Sequence, residues 1–206
     1  IQLPIVGCLF KKTYFDPIKR KNVSRLVGAK DLVVNYWATS LEAAHRKTEV
    51  ILMTKNQIQS YKNAGIFLED VELDEPKLSP DIETRKDVHG SQIPSKVDSS
   101  TPYVVLEQHT YWDLDKDGYM EPYIITIEKE SKRVLRVVAR FDSDGILQDE
   151  SSNTIICIEP VEYYTKYGFV PNPDGGFYDI GFGQLLGPLN ESTNTVVNQL
   201  IDAGTF

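Results

Sequence analysis

Three segments in which apolar and polar residues alternate, joined by short connections, limit most strongly what this chain can fold into. They span 103–111, 123–128 and 133–141, and alternation with a period of two is typical of strands. The connections between them read "DLDKDG" and "KESK", and a "FDSDG" turn precedes a further strand around 154–158. The sequence therefore predicts an antiparallel β-meander in this part of the chain.

Helix signals flank the predicted meander on both sides. A first helix is predicted over 41–47, with Ser40 as its N-cap, because "LEAAHRK" consists of good helix formers. A second helix is predicted after Thr54, which opens the capping box "TKNQ", and should end at Gly65. The predicted fold class is therefore α+β, an antiparallel β-meander packed with a few helices and ending in an amphipathic helix.

That last helix is predicted from a stripe of apolar residues at three- and four-residue steps, which should face a core. Pro188 is expected in its first turn and Gly204 just beyond its end. The opposite side carries a polar line, which is either solvated or, as we expect, in contact with another subunit through hydrogen bonds. The stripe consists of Phe182, Leu185, Leu186, Leu189, Val196, Val197, Leu200 and Ile201, and the polar line of Asn190, Asn194, Asn198 and Asp202.

The pattern along the chain divides it into three segments. An N-terminal α+β segment covers 1–72, and the meander with the last helix fills 101–206. Between them, 73–100 is predicted to be a flexible insertion or loop, because three prolines interrupt a stretch that lacks an apolar period. We expect one compact domain that is a piece of a longer chain. Strands in the first segment are predicted at 3–15, as a strand or hairpin, and at 32–37 and 50–53.

Charge and cysteine content argue against several classes of protein. The formal net charge of −8 is unlike that of a surface that wraps nucleic acid. Cys8 and Cys157 are too few for a disulfide framework or a zinc site, which fits a reducing compartment, and both are expected to be buried. No apolar run is long enough to predict a membrane span. Seven basic residues near the start form a basic arm, a solvated face or a subunit contact: Lys11, Lys12, Lys19, Arg20, Lys21, Arg25 and Lys30.

The "DLDKDG" connection has two interpretations. Calcium loops of the EF type take oxygen ligands at positions one, three and five, turn on a glycine at position six and close with Glu at position twelve. The first half of this pattern is present and Gly118 stands at position six, but position twelve is Ile124. Equally, "DG" between alternating strands is a strong hairpin signal. The candidate metal ligands are Asp113, Asp115, Asp117 and Glu121.

Signals for catalysis or a bound cofactor are weak. The three histidines have no recognisable nucleophile elbow beside them, and pairs of carboxylates cannot be assigned from spacing. The "GFGQLLG" stretch places its third glycine one residue late for a dinucleotide fingerprint, so a close approach of the helix start to the sheet is the better explanation. No enzyme activity and no cofactor other than calcium is predicted. The histidines are His45, His89 and His109.

Two stretches in combination, "YWDLDKDGYMEPYIITIEKESKRVLRV" and "GGFYDIGFGQLLGPLNESTNTVVNQLIDAG", resemble the portal proteins of tailed bacteriophages. The earlier blocks "LPIVGCLFKKTYFDP", "DLVVNYWATSLEAAHRKTE" and "TKNQIQSYKNAGIF" are also similar to that family. The resemblance covers most of the chain apart from 74–100, and the carboxyl-terminal block is its most specific part.

The resemblance implies a structural role without catalytic residues. The chain would be the outer, wing-like part of a subunit whose stem and clip lie outside it, in a virion assembled in the host bacterial cytoplasm. Its implied partners are other portal subunits in a ring, by resemblance a dodecamer, and the terminase, the capsid and head-completion proteins, and double-stranded DNA in the channel. Two alternatives are a calcium-stabilised binding module using the "DLDKDG" loop and a carboxylate-based hydrolase.

Overall fold

The computed structural model describes residues 2–76, 100–149 and 155–205, and its secondary structure confirms the predicted α+β class. All the strand pairs whose register is defined are antiparallel. The elements are α1 Gln2–Val6, β1 Cys8–Asp16, β2 Lys21–Gly28, β3 Leu32–Val34, β4 Lys47–Met53, α2 Lys55–Asn63, β5 Tyr103–Trp112, β6 Glu121–Glu128, β7 Val134–Ala139, a 3₁₀ turn Ser143–Gly145, β8 Ile146–Gln148, β9 Ile155–Ile158, β10 Tyr164–Gly168 and α3 Phe182–Gly204.

The chain forms two compact units that do not follow the three segments of the sequence. The reason is long-range pairing, because β1 is hydrogen-bonded to β10 and so joins the early and late parts of the chain. Most of the predicted flexible loop, 77–99, lies outside the described residues. Unit 1 comprises Ile1–Asp16, Arg20–His45 and Tyr163–Phe206, and unit 2 comprises Pro17–Lys19 and Arg46–Glu162.

Unit 1 is built on the three-stranded sheet β10-β1-β2. Burial alternates along β1, as expected for a strand with one face on a core. The ring of Phe10 stacks on that of Phe177 with 5.7 Å between centroids, and the hydroxyl of Tyr178 donates a hydrogen bond of 2.7 Å to the carbonyl of Leu32. The buried core residues are Cys8, Phe10, Val27, Leu32, Leu41, Tyr164 and Phe177.

Unit 2 contains the predicted meander, in which β4, β5, β6 and β7 are neighbours in chain order. Helix α2 confirms the capping box, because the Thr54 side chain accepts from the Gln57 amide and the Gln57 side chain accepts from the Thr54 amide. The helix ends at Asn63, and Gly65, the predicted end, follows the C-cap Ala64 with a φ of 67° that favours glycine. Its buried residue Ile58 packs in a core with Met53, Phe67, Tyr103, Val105 and Leu135.

Several local predictions are wrong, and tertiary pairing explains them. The helix predicted over 41–47 is only a turn capped by Ser40, since β4 begins at Lys47 and pairs with β5. The segment predicted as one strand or hairpin over 3–15 starts with the short helix α1 before β1. Cys8 is buried as expected, whereas Cys157 is exposed on β9.

The ends of α3 also differ from the prediction. The helix starts at Phe182 with Gly181 as N-cap, so Pro188 lies inside the helix and not in its first turn. Gly204 is the last helical residue, and Thr205 is the C-cap. The early start is possible because Gly181 has no side chain: a Cβ there would lie 2.4 Å from the Ile5 carbonyl oxygen.

Candidate functional site

The aspartate loop connects β5 to β6 and brings three of the four predicted metal ligands together. Carboxylate oxygens of Asp113, Asp115 and Asp117 lie within 4.8 Å of one another. Asp113 is half-buried, and the other two side chains are exposed. The alternating spacing of the three residues therefore places their charges around one point, as the sequence predicts for a cation loop.

Hydrogen bonds within the loop hold these carboxylates in place. Asp113 Oδ2 accepts from the Gly118 amide at 3.0 Å, and Asp117 Oδ1 accepts from the Tyr119 amide at 2.7 Å. Asp115 Oδ1 accepts a longer bond of 3.4 Å from the Asp117 amide. The backbone turns through positive φ at Lys116, 64°, and at Gly118, 95°. Such side-chain-to-backbone bonds form in turns without any ion, so they support the hairpin interpretation equally.

Glu121 takes a different position from the three aspartates. It stands opposite Trp112 at the end of the β5–β6 ladder and is 8% exposed. In the described part of the chain, the carboxylate cluster consists of the three aspartates, and Glu121 is not part of it. Burial raises the pKa of the neighbouring Tyr123, and the charge of Glu121 raises that pKa further. Glu121 therefore acts on Tyr123 and lies outside the cluster.

The donor set of the loop fits a hard divalent cation in part. Calcium takes six to eight oxygen ligands, and three carboxylates supply about half of them. Asp113 Oδ1 is buried and has no hydrogen-bond partner among the described residues, so one carboxylate oxygen remains available for a further ligand interaction. Backbone carbonyls and water would have to complete the shell. The loop can thus serve as a cation site, although nothing in its geometry requires one.

Helix α3 carries the predicted subunit-contact residues, and all four are exposed: Asn190, Asn194, Asn198 and Asp202. The apolar stripe is exposed as well, which contradicts the prediction that it faces a core. No residue of α3 is buried, and the exposed fractions in the stripe run from 47% at Phe182 to 67% at Leu200. The physical reason is that unit 1 closes its core with residues of its sheet and loops, and with none from α3.

The acidic pocket in unit 2 bears on the hydrolase alternative. Its volume is about 40 Å³, and acidic residues at its wall include Asp74, Glu75 and Glu128. That volume is far below the several hundred Å³ of ordinary substrate sites. The Glu128 carboxylate already accepts from the amides of Glu130, at 3.0 Å, and Ser131, at 2.6 Å. Glu128 therefore closes the β6–β7 turn, and the pocket lends no support to a hydrolase.

A group of buried charges in unit 2 was not found by sequence reasoning. Lys47 and Arg140 are each 1% exposed, and both pair with Glu162: Lys47 Nζ lies 2.6 Å from Oε2, and Arg140 Nη1 lies 2.9 Å from Oε1. The Arg140 guanidinium also lies over the Tyr111 ring, 5.5 Å from its centroid. Lys47 and Glu162 are 115 residues apart in the chain, so no local signal could reveal the pair.

The remaining residues singled out by sequence have structural surroundings. His109 is buried with Nε2 3.1 Å from Glu107 Oε1, His45 is exposed, and His89 lies outside the described residues. Among the seven basic residues near the start of the chain, Lys12 is buried, and its Nζ lies 5.4 Å from the ring centroids of Tyr14 and Tyr164. Lys19, Arg20, Lys21 and Lys30 are exposed on and beside the β1–β2 hairpin.

Comparison with known proteins leaves the family open. No protein-family model matches the chain, and no curated protein matches it. Within the described ranges, no helix combines the length and hydropathy needed to cross a membrane.

Proposed function

We propose that this chain is the outer, wing-like part of a subunit of a tailed-phage portal ring, through which double-stranded DNA enters and leaves the capsid. The single observation that carries the proposal is helix α3, which belongs to the most specific block of the resemblance. Its 23 residues bury none of their side chains within unit 1. A long helix with an uncovered apolar stripe needs a partner surface, and a ring subunit has neighbours on two sides.

The two sides of α3 differ in the way that a ring contact requires. In a head-to-tail ring each subunit presents two different surfaces to its neighbours. The stripe offers apolar area, and the opposite line of three asparagines and Asp202 offers short hydrogen-bonding side chains. Amides can donate and accept across a contact without the cost of burying a charge. We assign the polar line to the contact with a neighbouring subunit or with another part of the intact portal.

The charge of the chain is compatible with a conduit for DNA. Tight neutralisation of phosphates by lysine and arginine would oppose sliding, and the net charge of −8 disfavours such binding over most of the surface. The other proposed partners are the terminase, the capsid and the head-completion proteins. In this role the chain itself performs no catalysis.

Electron microscopy of the protein expressed with its full natural coding sequence tests the proposal. Rings with a central channel are the expected result. The double variant Asn194→Lys, Asn198→Lys should form few or no rings while the melting temperature of the chain changes little, because both residues are exposed. Gln199→Lys, also exposed on α3 but not on the face that carries the polar line, is the control. Absence of rings in the wild type would contradict the portal, and normal rings in the double variant would contradict the assigned contact.

A second candidate function is calcium binding by the aspartate loop, favoured by the cluster of three carboxylates. It is compatible with a portal subunit, because a bound ion would stiffen the β5–β6 hairpin. Free calcium at about 100 times its dissociation constant would stabilise the fold by roughly 2.7 kcal/mol.

Thermal melts in calcium and in EDTA test this second candidate. We expect calcium to raise the melting temperature of the wild type but not that of Asp115→Asn. Asp144→Asn, in the exposed turn before β8, is the matched control and should keep the response. Identical melts of the wild type in calcium and in EDTA would leave the loop as a hairpin turn only.

A further inference from the structure

Helix α3 carries a heptad pattern that shares five residues with the apolar stripe and indicates the kind of partner that would cover them. Core positions at alternating steps of four and three residues run through the whole helix, which is the spacing of a coiled-coil seam. They are Phe182, Leu186, Leu189, Thr193, Val196, Leu200 and Ala203. Seven such positions amount to about three heptads, the length at which the pattern begins to indicate a coiled coil. The partner that this spacing fits is therefore another helix with the same spacing.

The seam contains one polar residue, Thr193, and its hydroxyl already has a hydrogen-bond partner. Thr193 Oγ1 donates to the Leu189 carbonyl at 2.9 Å, so its hydroxyl has a partner within its own helix. Its methyl group can then pack in a seam without leaving an unpaired hydroxyl. Thr193 is also the midpoint of Phe182–Gly204. In a parallel pair it faces its own copy, whereas in an antiparallel pair the two kinds of seam position, which alternate along the helix, face each other.

The charges of α3 argue against a membrane surface or a nucleic acid as the occupant and permit a second copy. The helix has no lysine or arginine, which membrane-surface helices and nucleic-acid contacts use. Its two acids, Glu191 and Asp202, lie on the side away from the seam, so two seams can meet without repulsion.

The exposed area of the stripe suits a dimer. Its eight large apolar side chains are each about half exposed, from 47% to 67%. Together they offer several hundred Å² per helix, on the order of the roughly 800 Å² per partner in a standard interface.

We propose that two copies of this chain pair through the heptad seam of α3. A two-fold pair would occupy the seam and leave free the polar line, to which the ring contact is assigned. The pairing therefore does not rest on the proposed ring. The affinity should be in the micromolar range, since threonine and alanine occupy two of the seven seam positions. Paired seams would cover the five residues that the seam shares with the exposed apolar stripe.

Analytical ultracentrifugation of the chain from about 1 to 200 μM provides the first test. We expect a monomer–dimer equilibrium. The double variant Leu189→Lys, Leu200→Lys should weaken it at least about a hundredfold, because both side chains occupy core positions of the seam. The matched control Glu191→Lys, Thr195→Lys, on the side of the same helix away from the seam, should leave it unchanged. A monomeric wild type, or association that survives the leucine substitutions, would overturn the proposal.

Cysteine cross-linking provides a second test that does not depend on how the lysine variant folds. In a Cys157→Ser background, Thr193→Cys alone should form an intermolecular disulfide in a parallel pair, and Thr195→Cys, on the side of α3 away from the seam, should not. In an antiparallel pair, chains with Thr193→Cys and chains with Val196→Cys should cross-link with each other instead. Equal cross-linking at 193 and 195, or no cross-link at 193 in either combination, would refute the seam. Ring formation by the full-length protein is a separate readout, so either proposal can fail alone.

Discussion

The longest helix of unit 2 packs on its own unit, whereas the longest helix of unit 1 is exposed. In unit 2, the nine residues of α2 have a side-chain cap and bury Ile58 against the sheet. In unit 1, the 23 residues of α3 have no side-chain cap and bury none of their side chains. Both helices were predictable from sequence, yet only one is covered by its own unit. Apolar residues at helical spacing thus specify a helix and its apolar face, whereas the cover for that face must come from elsewhere in the fold or from a partner.

The sharpest test of this contrast compares one truncation in each helix. Ile58→Ala should lower the free energy of unfolding by about 3 kcal/mol, because it opens a cavity in a packed core. Leu200 is 67% exposed, so Leu200→Ala should change the free energy of unfolding by no more than about 0.5 kcal/mol at concentrations where the chain is monomeric. Urea unfolding measures both values. Comparable losses in the two variants would show that α3 is covered within the monomer.

Unit 2 should also depend on the buried charges that meet at Glu162. Glu162→Gln leaves Lys47 and Arg140 without their shared carboxylate and should cost about 2 kcal/mol, less than for a fully buried pair because Glu162 is 35% exposed. Glu159→Gln, on an exposed neighbouring residue, is the control and should have little effect. A loss of less than about 0.5 kcal/mol would mean that water solvates the two cations in place of Glu162.

The smallest expected effect is a loss of stability at alkaline pH that comes from Cys8 of unit 1. Burial raises the pKa of the Cys8 thiol in unit 1 above its ordinary value of 9.0. Below pH 9.0 the thiol is neutral in both the folded and the unfolded chain, and its contribution to stability is fully present. Above that pH the unfolded thiol ionises first, so stability falls as pH rises through the higher folded pKa.

Melting temperatures from pH 8 to 10.5 check this expectation. The slope above pH 9 should be shallower in Cys8→Ala than in the wild type, whatever the cavity does to the absolute value. Tyr103 and Tyr123 of unit 2 and Tyr178 of unit 1, whose pKa values burial also raises, should add their own losses only above about pH 10. If the slope is the same in the variant and in the wild type, Cys8 is not the cause of the loss of stability above pH 9.

Local signals predicted those parts of the fold that local interactions determine. The capping box at Thr54 gave the start of α2, and alternation gave the strands of the meander to within a few residues. The segment 41–47 failed because a single cap at Ser40 cannot hold a helix against strand pairing that begins at Lys47. Strand β10 was missed because its partner β1 is distant in sequence.

The residues of the candidate site likewise fall into two groups: those that local spacing brings together and those that only the fold brings together. Three aspartates at alternate positions were correctly expected to share one loop, since their spacing alone brings them together. Glu121 was placed with them by counting, but it lies in the β6 ladder opposite Trp112. The ion pairs of Glu162 with Lys47 and Arg140 join three strands or loops, and only the folded sheet brings them within reach.

The pairing of β1 with β10 has a consequence for the order in which the chain is made. During synthesis β1 and β2 leave the ribosome before unit 2 and β10 do and can form their hairpin at once. The core around Phe10 must wait, because Tyr164 and Phe177 are translated only after the whole of unit 2. Unit 2 therefore has the time to fold while an apolar face of the nascent hairpin still lacks its cover. That interval makes the early hairpin the natural substrate for a chaperone on the ribosome.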